Sequence, residues 1–340
     1  MKKIGILFGS EKSFPSDLIS VINSMKNKVK ASRISLDALK LNDKNIYSLI
    51  YDRISHKVPF YKNFLKQSYI NGALVINNPF LTYDFSSFIH NVISNKKGIR
   101  TPKSVLLPSK EPPENTVPDS FANLNYPLDW NAVFNYIGFP AYLKSNNNNV
   151  FVHSYKIYNS AEFFSAYNLT GKSCMNLVES IDFDAYYKCF VIGSKNAKVI
   201  AYDYSKPIHL RFNASEKPMS GKIENEIISL SLSISEYLGF SMNALEFGVK
   251  NNDLYLTCHH DPSPFIEREF LDSETYEWML NATSEYLISV ASGNASIPVF
   301  HPNTIFEKEN LKGKSAVKRA KPNPKPVMQD INIASQDSMN

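Results

Sequence analysis

The chain begins with an apolar run, Ile4-Gly5-Ile6-Leu7-Phe8, closed by Gly9-Ser10. A run with no polar alternation belongs to a strand buried on both faces, and such a strand needs a layer of helix on each side. The following segments supply them. Leu18, Ile19, Val21, Ile22 and Met25 recur at helical spacing and predict a helix over Ser16–Val29. Ser48–Tyr51 predicts a second strand, ending at Asp52-Arg53, and Val58–Leu65 a second helix. Ala73–Ile76 predicts a third strand, stopped by Asn77-Asn78-Pro79. Strands alternating with helices imply a parallel sheet, so residues 1–84 are expected to form an open α/β domain.

Beyond it the pattern changes. Phe85–Asn95 predicts a helix, ended by Lys97-Gly98, and Pro102–Pro108 a strand. Residues 109–120, rich in Pro, Glu, Ser and Asp, predict a loop. Leu128–Ile137 and Ala161–Ala166 predict helices; Ala141–Lys144, Val150–Tyr158 and Asn176–Glu179 predict strands. Tyr187–Ile192 turns at Gly193-Ser194 into Val199–Ala201, which reads as a hairpin. A long amphipathic helix is expected over Glu224–Leu238, stopped by Gly239. Ala244–Val249 and Leu254–Thr257 make a second hairpin over Asn251-Asn252-Asp253, and Tyr276–Ala291 is the last helix.

Charge narrows the function classes. The chain carries 37 Lys/Arg against 32 Asp/Glu, but six Lys/Arg and only two Asp lie from Lys312 onward. That tail holds +4 of the +5 and leaves the body nearly neutral. Nucleic-acid binding by the folded body is therefore not expected. The segment 312–340 is Lys-, Pro-, Asn- and Ser-rich without periodicity, reads as a basic disordered tail, and would suit an acidic partner. The three cysteines, Cys174, Cys189 and Cys258, include no CxxC pair. The N-terminal apolar run is too short for a secretory segment, and no stretch reaches the ~20 residues of a membrane span. A cytoplasmic setting is expected.

Four segments in order carry a resemblance. Lys144 ends a strand before Asn146-Asn147-Asn148-Asn149. Leu177-Val178-Glu179-Ser180-Ile181 precedes Asp182 and Asp184, and Lys188 follows in Tyr186–Gly193. Arg211 lies in His209-Leu210-Arg211-Phe212, and the hairpin Leu245-Glu246-Phe247 leads to Cys258-His259-His260-Asp261-Pro262-Ser263-Pro264. Asp52-Arg53, Val75–Pro79 and the helix to Gly98 form the fourth. Over residues 1–300 this order resembles the ATP-grasp ligases, in the glutathione-synthase and ribosomal-protein-modifying branch. The implied fold is α/β: the front parallel-sheet domain over 1–84, then an ATP-grasp domain over 85–311. The latter would divide into a central subdomain (100–176) and a C-terminal α+β subdomain (177–300).

The resemblance also implies roles. Lys144 would reach the nucleotide phosphates, and Asn146, Asn147 and Asn148 stand where a closing loop of glycines is usual. Val178, Glu179 and Ile181 would pair with adenine, and Asp182 or Asp184 with ribose. Arg211 and Lys188 would steady the transferring phosphoryl group. Glu246, Asp261 and His259 would hold Mg or Mn, although the expected second carboxylate is replaced at Cys258 or His259. The implied activity is ATP-dependent joining of a carboxylate to an amine through an acylphosphate, on a small or peptide substrate. The departures imply the alternative, an impaired enzyme kept as a nucleotide- or peptide-binding or partner protein. Self-association is left open. On the residues alone, Arg53 can be a site residue or half of a structural ion pair. The Cys-His-His-Asp cluster can be metal-binding or ordinary turn polarity.

Overall fold

The computed structural model describes residues 1–26, 28–81, 86–146, 154–203, 206–212 and 219–299. Asn147, Asn148, the start of the expected strand at Val150 and the basic tail lie outside these residues.

The front sheet is built from β1 (Lys2–Leu7), β2 (Val29–Arg33), β3 (Leu49–Asp52) and β4 (Leu74–Ile76), in the order β2-β1-β3-β4. All three pairings are parallel. Two helices connect it: α1 (Phe14–Ser24) links β1 to β2, and α2 (Pro59–Ile70) links β3 to β4. The spacing had run α1 on to Val29; the helix instead stops at Ser24, and Val29 and Ala31 turn inward from an edge strand whose other residues are exposed. Both helices start with proline in their first turn, where the missing N–H has no partner to lose.

After α3 (Ser87–Lys96) comes a second, antiparallel sheet. It comprises β5 (Ser104–Leu107), β6 (Ala141–Ser145), β7 (Tyr155–Ile157) and β8 (Met175–Glu179), in the order β5-β8-β6-β7. Helices α4 (Trp130–Ile137) and α5 (Ser160–Tyr167) cover one face, with Phe163, Leu143, Leu177 and Met175 fully buried between. Because β8 pairs with β5 and β6, this sheet ends at Glu179, and the short link Ser180–Asp184 leads out of it.

The third sheet is antiparallel, in the order β10-β9-β11-β12: β9 (Ala185–Ile192), β10 (Asn196–Ala201), β11 (Met242–Lys250) and β12 (Asp253–Cys258). Asn251 and Asn252 turn the β11–β12 hairpin at φ of 52° and 64°, a left-handed conformation that asparagine tolerates. One face is closed by α6 (Gly221–Tyr237), packing on Cys189, Val191, Leu245 and Phe247. On the other face Phe190, Ile192, Met242 and Ala244 meet α7 (Ser273–Ser292). Helix α7 also covers Ile4, Ile6, Leu49 and Tyr51 of the front sheet, so one core joins both sheets. Among the described residues no helix is long and apolar enough to cross a membrane.

Candidate active site

The face of the third sheet that meets α7 changes character along its length. Side chains two apart on a strand share a face, so Lys188 lies with Phe190 and Ile192, and Glu246 with Ala244 and Met242. Toward α7 this face is apolar; at the other end it presents charge. Lys188 is opposite Glu246, and Glu246 opposite Cys258, in a row across β9, β11 and β12. The Lys188 ammonium donates to Glu246 Oε1 at 3.2 Å and to Asp261 Oδ2 at 3.4 Å.

Asp261 lies beyond β12 and is positioned by Asn243. The Asn243 carboxamide accepts from the Asp261 amide at 3.0 Å and donates to the His259 carbonyl at 3.2 Å. Tyr202, just past β10, places its ring 5.2 Å from the Lys188 ammonium. The Tyr202 hydroxyl accepts from Arg211 Nη1 at 3.4 Å, and Arg211 Nε donates to the Lys206 carbonyl at 2.8 Å. The fold thus gathers Lys188, Arg211, Glu246 and Asp261, four of the expected residues. Tyr202 and Asn243 complete the group; neither stands out in the sequence, because aromatic residues and asparagines are abundant throughout.

Electrostatics keeps Lys188 charged. Burial alone would pull the Lys188 ammonium down, but Glu246 and Asp261 outweigh it and hold its pKa above the usual lysine range. Burial, followed by the two carboxylates, pushes the Cys258 thiol up to about 12, so it stays protonated. Burial is also the first cause of a raised Tyr202 hydroxyl, reinforced by Glu246.

The other expected residues lie elsewhere. Lys144 is exposed on β6, its ammonium 5.1 Å from the Tyr142 ring centroid. Asn146 is buried, and its side-chain oxygen accepts from Asn176 at 2.9 Å. Val178 is within β8, while the Glu179 amide donates to the Lys103 carbonyl at 2.9 Å. Ile181 is half-buried in the link between the second and third sheets. The Asp184 carboxylate is engaged by Lys250 at 3.0 Å and by the Asn251 amide at 2.8 Å, and Asp182 is exposed. Arg53 resolves as a structural pair: it is buried against Glu11, bonds the Tyr51 hydroxyl at 2.9 Å, and reaches the Pro264 carbonyl.

The His259 ring lies beside other histidines. It is buried, 5.5 Å from His90, and His260 stacks on His90 at 4.3 Å. Among the described residues no group of three His, Cys, Asp or Glu side chains is arranged to hold a metal ion. The donor set also fits a hard divalent cation poorly, since such an ion wants oxygen ligands. Two carboxylates are already bridged by an ammonium, and the third place in the row is a protonated thiol.

Solved structures share this architecture. A RimK-domain ATP-grasp protein from Sphaerobacter thermophilus superposes with a TM-score of 0.59 at 12% identity, over 84% of this chain and 98% of its own. The D-alanine–D-alanine ligase of Bacillus anthracis gives 0.60 at 16% identity, over 87% and 100%. The VanG D-Ala:D-Ser ligase of Enterococcus faecalis gives 0.58 at 14%, over 86% and 99%. No family model and no curated protein sequence matches the chain. What is common at these identities is the arrangement of three sheets and their covering helices, and on that ground the chain has the ATP-grasp fold.

Proposed function

We propose that the chain binds ATP between its second and third sheets and uses it to activate a carboxylate for attack by an amine. The observation that carries this reading is the convergence of Lys188, Arg211, Tyr202, Glu246 and Asp261 on one sheet face. Two ligases of the same fold, one solved as a complex with ATP, support the reaction class. In the reaction, a carboxylate oxygen attacks the γ-phosphorus and ADP leaves. The amine then attacks the acyl carbon, phosphate departs, and the amine nitrogen gives up a proton.

Such chemistry needs charge compensation and alignment more than a protein nucleophile. Arg211, held by Tyr202 and the Lys206 carbonyl, is the group to meet the transferring phosphoryl oxygens. Lys144 meets the phosphates from the second sheet. The backbone at Ile181 faces the base, the Glu179 and Ser180 amides being bonded to the Lys103 and Pro140 carbonyls, and Asp182 faces the ribose. Magnesium or manganese would have to come to Glu246 and Asp261, and because that donor set fits it poorly no step is assigned to it.

A second reading, nucleotide binding without turnover, is favoured by Cys258, which offers a thiol where the resemblance calls for a carboxylate. Both readings require ATP binding, so calorimetry comes first. Lys144→Ala is expected to weaken ATP at least tenfold, and unchanged affinity would remove Lys144 from the site. ADP release on adding amino acids or dipeptides then separates the readings: turnover lost in Arg211→Ala supports the ligase, and none with any acceptor supports the binder.

A further inference from the structure

Lys188, Glu246 and Cys258 are consecutive cross-strand partners, so their side chains project from one sheet face at adjacent positions. Lys188 and the two carboxylates that it bonds differ in depth. The Lys188 side chain is 8% exposed, Glu246 24% and Asp261 37%. The ammonium therefore lies beneath the two carboxylates and bonds one oxygen of each, at 3.2 and 3.4 Å. A divalent ion shared by those same oxygens would need the space that the ammonium fills. An ion on the outer side would have a buried positive charge directly behind its ligands, where water screens little. The remaining neighbour, Cys258, supplies sulfur, which a hard cation does not favour.

Nor is Lys188 free to swing aside at low cost. Its ammonium is 5.2 Å from the Tyr202 ring centroid, and that ring is held in turn by Phe212 at 5.4 Å and by Arg211. Departure would leave two carboxylates facing each other and a lysine stem exposed.

The geometry points to Lys188 as the resident cation of this site. Its ammonium takes the place of a divalent metal between Glu246 and Asp261, so the protein takes up no metal there and binds nucleotide polyphosphate without one. The second half rests on the nucleotide-binding reading above; the first stands without it.

The full chain titrated with manganese, followed by the EPR signal of the free ion, tests the first half. Wild type is expected to leave manganese free through the low-millimolar range. Lys188→Met, which keeps the stem and removes the charge, is expected to take up one ion at least tenfold more tightly, and Lys188→Met/Glu246→Gln to lose it. One manganese bound by wild type and lost in Glu246→Gln would overturn the inference, and this arm needs no lysine variant to fold. For the second half, ADP affinity is measured by calorimetry in EDTA and in magnesium. Agreement within about twofold supports the inference; a tenfold gain with magnesium that Glu246→Gln abolishes overturns it. If no nucleotide binds in either buffer, both the nucleotide-binding reading and the metal-free half fall, and the manganese titration alone decides whether Lys188 excludes metal.

Discussion

Three histidines are buried together where α3 meets the end of β12: His90, His259 and His260, with Phe240 stacked on His260 at 6.0 Å. Burial, the first cause at each, takes His259 from 6.5 to about 3 and His260 to about 4, and lowers His90 well below its ordinary value. Mutual repulsion adds to the shift at His90 and His259, while Asp261 opposes it at His260. The native state thus takes up protons later than the unfolded chain. Stability is at its full value above the unfolded pKa of 6.5 and falls as pH drops from there toward 4, because protons then favour the unfolded state. His260→Phe keeps a ring in the stack and should flatten the pH dependence of urea unfolding by roughly 2 kcal/mol between pH 7 and 5. An unaltered slope would mean that His260 does not carry this linkage. Arg53 and Glu11 are a different case. Removing one member of so buried a pair costs about 3–5 kcal/mol through the charge left behind, which explains a conspicuous charged residue after β3 without assigning it to chemistry.

At the scale of elements, the link Ser180–Asp184 is the short connection between the second and third sheets. Phe183 anchors it by lying directly over Gly248 of β11, where an added Cβ would come within 2.6 Å of the ring. Tyr186 and Tyr255 close around the same ring at 5.4 and 5.5 Å. Gly248→Ala must lift Phe183, so an overpacking cost of about 1–3 kcal/mol is expected, read as a lower unfolding midpoint. An unchanged midpoint would mean that the ring relocates without resistance. Such contacts limit what a sequence discloses. The front sheet was legible because Ile4–Leu7, Leu49–Tyr51 and Val75–Ile76 are apolar runs separated by helical spacing. Strand β2 was not, because an edge strand with two inward residues blurs into the end of the preceding helix. Glu246 was legible as a charge inside an apolar strand, and Lys188 by its place in the resemblance. Lys250 and Asn251 engaging Asp184, or Tyr202 lying against Lys188, depend on register between strands far apart in the chain, which no local pattern encodes.

At the scale of the described molecule, side-chain hydrogen bonds tie the front sheet to the chain around the third sheet. Glu267 accepts from the Lys12 and Ser13 amides at the start of α1, at 2.6 and 2.9 Å, and so places a carboxylate where the helix dipole favours one. Asn77, after β4, accepts from the Ser241 and Met242 amides at 2.8 and 3.0 Å and donates to the Met242 carbonyl at 2.7 Å. Helix α7 contributes Met279, Leu287 and Val290 to the core that also holds Ile4, Ile6, Leu49 and Ile76. Each such side chain returned to water costs about 1.5–3 kcal/mol, which is a large part of the stability of any domain this small. Although residues 1–84 contain a complete α/β pattern, they should therefore not fold alone: without α7, the sheet face that it shares with α1 loses part of its cover. The second sheet has its own core around Phe163, Leu143 and Leu177, so it can open while the front and third sheets remain joined. Hydrogen exchange on residues 1–308 should accordingly protect β1, β3, β9 and β11 to one common free energy and β5, β6 and β8 to a lower one. A cooperatively folded 1–84 fragment, or protection of β1 that ends well before that of β9, would contradict the shared core.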